Sequence, residues 1–274
     1  MSNSEEKRQV ASDATARPAG QLSRGLLIIQ TVIGTPAPLT LGELADRTGL
    51  DPSSAFRIAQ ILVSEGYLVR QDPGKRYCAG PRALSMLSPY HPLNTFRRET
   101  AEILQQLRDA IGATVGLVLF IGTERLIVDI AQGIDALAPF YDTWLQTPLH
   151  AAASGKLLLA EMGPKQKRDL LGPDPLFAAT PHTVTRLADL EKVLSVVRSE
   201  GYAVSRDDVH VGLTAVAAPI EHSGTTIGCI VTVGASGRFS DADCETAGRK
   251  LRDAGRLIAT ATPSVRSLAH YLGA

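Results

Sequence analysis

Six histidines (His91, His150, His182, His210, His222 and His270) and three cysteines (Cys78, Cys229 and Cys244) carry the widest chemical repertoire in this chain, so their spacing is the first test of what chemistry is open to it. No two of the histidines stand four apart, none clusters with cysteine, and no Cys-x-x-Cys pair occurs, so neither a zinc site nor a dithiol couple is indicated. The serines lack a Gly-x-Ser-x-Gly elbow, and the run Gly234-Ala235-Ser236-Gly237 has the wrong spacing for one. Ser154-Gly155-Lys156-Leu157 looks like the end of a phosphate-binding loop. Its leading glycine is missing, however, and Leu157 replaces the hydroxyl residue that would hold magnesium. An enzyme that turns over a small acid with His150 and Asp207 as acid and base is the alternative reading, but no activated nucleophile supports it. No catalytic residue, metal site or cofactor is expected.

Two other groupings fit binding instead. Ser53, Ser54, Phe56, Arg57 and Gln60 fall outward on a helix whose inward positions are Ala55, Ile58 and Leu62. Phe56 can lie on a thymine methyl, Arg57 can grip phosphate or guanine, and Ser53 and Ser54 can bond phosphate through hydroxyl or backbone N–H. Lys75 and Arg76 follow a Pro-Gly turn and are expected to project from a hairpin tip towards a phosphate backbone. The second grouping is PLHAAASGKLLLA, residues 148–160, where small residues open a helix. Free N–H groups at such an end favour a carboxylate, although close helix packing explains small residues equally well. Leu213, Thr214 and Ala215, following the polar run Ser205-Arg206-Asp207-Asp208, would supply an opposite wall.

The elements that must position these groups are marked by local signals. An apolar stripe of Leu26, Leu27, Ile29 and Val32 predicts a helix from Ser23 to Ile33. Thr40 and Glu43 form a capping box and open a second helix that ends at Gly49. Asp51 as N-cap with Pro52 at the first helical position opens a third, ending at Gly66. Strands at 67–70 and 75–79 then make a hairpin, and helix, helix, tight turn, helix, hairpin is the order of a winged helix-turn-helix. A short helical stretch over 82–87 leads to the interruption Ser88-Pro89-Tyr90-His91-Pro92, read as linker. Beyond it, a helix is predicted at 94–110 with Phe96, Ile103, Leu104, Leu107 and Ile111 inward. Strands are predicted at 114–121, 125–131, 202–206, 214–221 and 226–233, and helices at 153–161, 165–171, 187–200 and 241–261. The expected fold class is α/β or α+β, organised as a disordered tail over 1–20, a winged helix-turn-helix over 21–81, a linker over 82–93 and a sensor domain over 94–274.

With 274 residues, 44% of them hydrophobic, the chain can bury a core in each of two domains. The 28 basic and 28 acidic residues balance, yet residues 51–88 hold five basic side chains against three acidic, so a local basic face is compatible with the neutral total. The charged opening MSNSEEKRQV suggests neither signal nor transit peptide, no apolar run approaches a membrane span, and the odd, scattered cysteines fit a reducing cytoplasm. A soluble cytoplasmic protein is expected.

On these residues the chain resembles the IclR family of transcriptional regulators over about 22–262. The resemblance rests on LTLGELADRTGLDPSSAFRIAQILVSEGYL, the wing ending in Tyr77, the Gly80-Pro81-Arg82 exit, PLHAAASGKLLLA, TPHTVT at 180–185, GYAVSRDD at 201–208 and GLTAVAAPI followed by IGCIVTVGASGRFS. It implies a double-stranded DNA operator, a linker helix, a GAF-like effector-binding domain, assembly as a homodimer or a tetramer of two dimers, and repression more readily than activation. It further implies a small organic acid held between Thr147, Ala153 and Ser154 on one wall and Ser205, Leu213 and Ala215 on the other, over Val231 and Val233. Family members that bind small oxo-acids tend to carry an acidic group at the position of Ser205, cysteine at Ala215 and serines at Val231 and Val233. Their absence, with Tyr141 and Trp144 near by, implies an apolar or aromatic acid larger than glyoxylate or pyruvate.

Overall fold

Successive side chains of a strand point to opposite faces, and the apolar runs of the C-terminal half carry hydrophobic residues at both parities, so their sheet needs cover on both sides. The computed structural model describes residues 20–71, 74–85, 89–133 and 145–273 and has this arrangement. Its contacts divide the chain into two units, 1–88 and 89–274.

The first unit runs α1 (Gln21–Ile33), α2 (Leu41–Thr48), α3 (Pro52–Ser64), β1 (Leu68–Gln71), β2 (Arg76–Ala79) and α4 (Pro81–Leu84). Ile28, Ile29 and Val32 of α1 pack with Leu44, Ala45, Ala55, Ile58, Leu62, Leu68 and the fully buried Tyr77. Leu26 was expected inward but is 47% exposed, while Ile28 is buried. Two residues turn a helix by roughly 200°, so a stripe centred on Ile28 and Ile29 leaves Leu26 on the far side. The Thr40–Glu43 box forms as expected, with Glu43 N donating to Thr40 Oγ1 at 3.2 Å and Thr40 N to Glu43 Oε2 at 2.7 Å. Gly49 closes α2 at φ 63°, a left-handed conformation that glycine adopts freely. Leu39 exchanges backbone hydrogen bonds with Tyr77 and tethers the entrance of α2 to the hairpin.

The second unit runs α5 (Pro92–Ile111), β3 (Thr114–Ile121), β4 (Glu124–Ala131), α6 (Ala153–Glu161), α7 (Pro164–Leu171), α8 (Leu187–Glu200), β5 (Ala203–Arg206), β6 (Leu213–His222), β7 (Thr225–Ala235), a 3-10 turn at Ser236–Arg238, α9 (Asp241–Ala261) and α10 (Ser264–Leu272). The strands lie in the order β4-β3-β7-β6-β5, and every neighbouring pair is antiparallel. The unit is therefore α+β, without parallel crossovers. Val115, Leu117, Leu119, Val216, Ala218, Ile220 and Ile230 face α5, α9 and α10. Val118, Phe120, Ala217, Cys229, Val231 and Val233 face α6 and α8 on the other side.

Helices α6, α8 and α9 and strand β3 begin and end on the expected residues. Helix α5 starts at Pro92, two residues earlier than expected, because His91 caps it by accepting from Leu93 N at Nδ1 (3.2 Å) and Pro92 needs no N–H partner at the first helical position. Helix α10 was not expected, although Val265, Leu268 and Ala269 are all buried at helical spacing. The expected tail lies outside the described residues except for Gly20.

Helix α9 presses directly on β6 at Gly255, where a β-carbon would stand 2.2 Å from the carbonyl oxygen of Pro219. Gly255→Ala must push helix and strand apart, and urea unfolding is expected to show a loss of about 1–3 kcal/mol. An unchanged midpoint would contradict this packing.

Candidate functional site

On α3 the inward positions Ala55, Ile58 and Leu62 anchor the helix, and Ser53, Phe56 and Arg57 are exposed, with Gln60 half-buried. Phe56 keeps 42% of its surface in solvent, unusual for an aromatic side chain in a small helical unit. Ser54 departs from expectation. It is 9% exposed and faces the core, and its backbone N–H donates to Asp51 Oδ1 at 2.8 Å. The Ser53 hydroxyl donates to the same oxygen at 2.6 Å. The helix N-terminus is thus already occupied by the chain's own carboxylate, and neither serine is available there to donate to a phosphate. Hydrogen bonds from the Ser53 hydroxyl and the Ser54 hydroxyl and N–H hold the Asp51 carboxyl well below the usual carboxylate range.

In the wing, Lys75 is exposed in a left-handed turn conformation at φ 49°. Arg76 does not project freely as expected. Its Nη1 donates to Pro38 O at 3.0 Å and to Glu43 Oε2 at 3.3 Å, which folds the guanidinium back onto the capping box of α2. A carboxylate and a carbonyl within reach outcompete solvent for a forked donor.

The second unit holds a cavity of about 110 Å³ lined by Leu145, Thr147, Ala152, Ala153, Ser154, Ser205, Val209, His210, Leu213, Ala215, Val231 and Val233. Eight residues named from the sequence, Thr147, Ala153, Ser154, Ser205, Leu213, Ala215, Val231 and Val233, meet around this one space. Tyr141 and Trp144 lie outside the described residues. The floor follows from register, since Ala215 pairs with Val233 and Ala217 with Val231 on β6 and β7, and Ser205 of β5 pairs with Ala215. The near wall is the N-terminus of α6. No side chain caps it, and the N–H groups of Ala153 and Ser154 meet no acceptor among the described residues. Gly155 serves packing: a β-carbon there would lie 2.2 Å from Leu149 O, so glycine lets the loop before α6 close against the helix.

Residues that sequence reasoning missed hold this wall and its lid. Arg125, 2% exposed, donates from Nη1 to Ser154 Oγ at 3.1 Å and from Nη2 to Leu145 O at 3.3 Å and to Thr147 O. Burial lowers its pKa to about 10. Across the cavity, Val209 and His210 ride on a loop clamped from several sides. Lys156 of α6 pairs with Asp208 and donates to Val204 O at 2.9 Å. Thr180 and Thr183, from the TPHTVT run, donate to the carbonyl oxygens of Asp207 and Asp208, each at 2.6 Å. Asp207, at φ 58°, accepts from Gly212 N and Ser236 Oγ. His150 Nε2 lies 2.9 Å from Phe177 O, with its pKa lowered chiefly by burial. Both members of the acid–base alternative therefore serve to hold loops.

A winged helix-turn-helix joined to an antiparallel sheet that carries a small cavity is the architecture of a DNA-binding transcriptional regulator. Residues 21–73 match the IclR helix-turn-helix domain, and residues 93–260 match the family described as bacterial transcriptional regulator IclR C-terminal. The chain belongs to the IclR family, whose members are transcriptional regulators and not enzymes. It is 28% identical over 222 residues to the HTH-type transcriptional regulator BhcR of Paracoccus denitrificans, covering 81% of this chain and 79% of that one. It is 26% identical over 212 residues to the transcriptional repressor IclR of Escherichia coli, covering 76% and 77%. Among solved structures, Thermotoga maritima IclR superposes with a TM-score of 0.70 at 24% identity over 88% of this chain and 98% of that one. An IclR homolog from Microbacterium hydrocarbonoxydans, complexed with 4-hydroxybenzoate, gives 0.72 at 21% identity over 90% and 100%.

The Asp51 cap has a pH signature. Its folded pKa lies below the ordinary 3.8, so the stability it adds is complete above that value and is lost as pH falls through the folded pKa. The melting-temperature gap between the parent protein and Asp51→Ala should be constant from about pH 7 to pH 5 and shrink below about pH 4. A gap that widens on acidification would contradict it.

Proposed function

We propose that this chain is a repressor whose affinity for a duplex DNA operator is set by a small apolar or aromatic organic acid bound in the second unit's cavity. The observation that supports the reading best is the convergence of eight residues around a space with an apolar floor and an uncapped helix N-terminus at its edge. Apolar floor and orphan N–H groups together suit a molecule with a hydrocarbon body and one carboxylate. The volume approaches the roughly 150 Å³ that accommodates a benzene ring. The complex of the Microbacterium relative with 4-hydroxybenzoate is in keeping with an aromatic acid.

Operator contact is assigned to Phe56, Arg57 and Gln60 of α3, aided by Lys75 of the wing. Arg57 is the principal cation of the face, because Arg76 is already engaged by Glu43. Two copies of the chain, or two pairs of copies, place paired α3 helices on half-sites. The acid changes operator affinity only to the extent that it binds the DNA-competent and incompetent arrangements unequally.

Arg57→Ala is expected to weaken binding to the chain's own promoter fragment about tenfold or more at fixed salt, with ligand-induced thermal shifts unchanged. Equal operator affinity in a gel-shift titration would remove Arg57 from the interface. A thermal-shift screen should rank benzoate-like and medium-chain acids above glyoxylate and pyruvate, and the top acids should release the operator in the same gel shift. Tight glyoxylate binding with no response to aromatic acids would overturn the reading of the cavity.

A further inference from the structure

Arg125 of β4 is among the most buried charged side chains described, and the one carboxylate that favours its charge, the neighbouring Glu124, acts through space without a hydrogen bond to it. Its three hydrogen bonds go to one hydroxyl and two carbonyl groups, and none goes to a carboxylate among the described residues. Cys229, close by, is pushed up to about 12 by burial and so is a neutral thiol that supplies no counter-charge. Burial leaves Arg125 protonated at neutral pH all the same, since its pKa stays near 10. A cation held out of water whose hydrogen bonds all go to neutral dipoles is costly, and an anion placed near it recovers part of that cost.

The cavity is where such an anion would go. Leu145, Thr147 and Ser154, the three residues that accept from Arg125, all line it, so the guanidinium stands immediately behind its wall. Ser154 Oγ accepts from Arg125 and donates to no acceptor among the described residues, which leaves its proton available on the cavity side. The N–H groups of Ala153 and Ser154 are open at the same place. The other cation near the loop, Lys156, is committed to Asp208 and Val204 O, His210 sits at the exposed rim, and Asp207 is turned to Gly212 and Ser236.

We propose that Arg125 is the charge selector of the cavity: it acts through the Ser154 hydroxyl and the open end of α6 to hold a ligand's carboxylate, so that the site takes monocarboxylate anions and rejects their neutral amides. This rests on the cavity being the effector site. Arg125 touches no ligand in this arrangement. It is a positioning residue that polarises the group which does.

The test is calorimetry on the full-length protein with benzoate, 4-hydroxybenzoate and phenylacetate, each beside its primary amide. The parent should prefer each acid to its amide by about tenfold or more. Arg125→Met should bring acid and amide to within about threefold of each other while amide affinity holds, and Arg125→Lys should restore part of the preference. A readout on the parent alone covers the case in which Arg125→Met does not fold: the carbon-13 carboxyl resonance of bound benzoate should titrate below the free acid's value. If acids and amides bind equally, or bound benzoate titrates at or above its free value, the selector is overturned and the effector site stands. If no acid or amide binds, the effector site itself falls and the selector falls with it.

Discussion

The absence of a side chain at residue 155 is the constraint on which the second unit's cavity depends. With any larger residue the loop carrying Thr147 to Leu149 could not close against α6, because the first added carbon would overlap the Leu149 carbonyl. Closed, the loop presents its carbonyl oxygens to Arg125 and its Thr147 side to the cavity, while α6 brings its first two amides to the same edge. One close approach thus sets three things at once: where the wall stands, where the buried cation is satisfied, and which N–H groups remain open. Close packing and ligand approach compete as explanations of the small residues at 151–155. Here they divide the work, with Gly155 packing and Ala153 and Ser154 lining the space.

Strand alternation carries the consequence through the sheet. Val231 and Val233 form the cavity floor, and Ile230 on the opposite parity of β7 packs into the cluster of α5, α9 and α10. β7 is also hydrogen-bonded to β3 on one side and β6 on the other. A ligand that shifts the floor therefore strains a strand whose other face packs against the long helix α9, and close-packed interiors transmit such shifts rather than absorb them. This is a physical route by which occupancy of a small space can bias the arrangement of the whole unit.

How much of this was legible in the sequence depended on whether the signal was local. Thr40, Glu43, Asp51 and Pro52 announce helix ends through bonds made within four residues, and the helices formed where they indicate. Ser54 misled because helical spacing alone puts it near the border between faces, and the turn of α3 against the core decides which side wins. Arg76 misled because its partners, Pro38 and Glu43, lie more than thirty residues away in sequence. Arg125 escaped notice for the same reason: an arginine one residue into an apolar strand reads as an edge charge until the loop at 145–147 and the helix at 154 are folded over it. The TPHTVT run was visible as a motif but had no assigned purpose until Thr180 and Thr183 were found holding the carbonyls of Asp207 and Asp208.

The two helix N-termini that matter most are handled in opposite ways, and the contrast explains their different uses. Helix α3 starts with a proline that has no N–H and satisfies the amide of Ser54 with Asp51, whose carboxylate is reinforced by the Ser53 hydroxyl, so that end is capped and carries negative charge. Phosphate is repelled from it, so the proposed contact with DNA rests on side chains further along, where Phe56 and Arg57 stand free of the cap. Helix α6 opens after Ala152, a residue with no group that could cap, and leaves its first amides unmet beside a buried cation. Unmet buried donors are rare in folded proteins because each forfeits a hydrogen bond available in water. A chain that caps one helix with care and leaves another bare next to an arginine holds open donors beside a buried positive charge in the second unit, the arrangement on which the proposed carboxylate site rests.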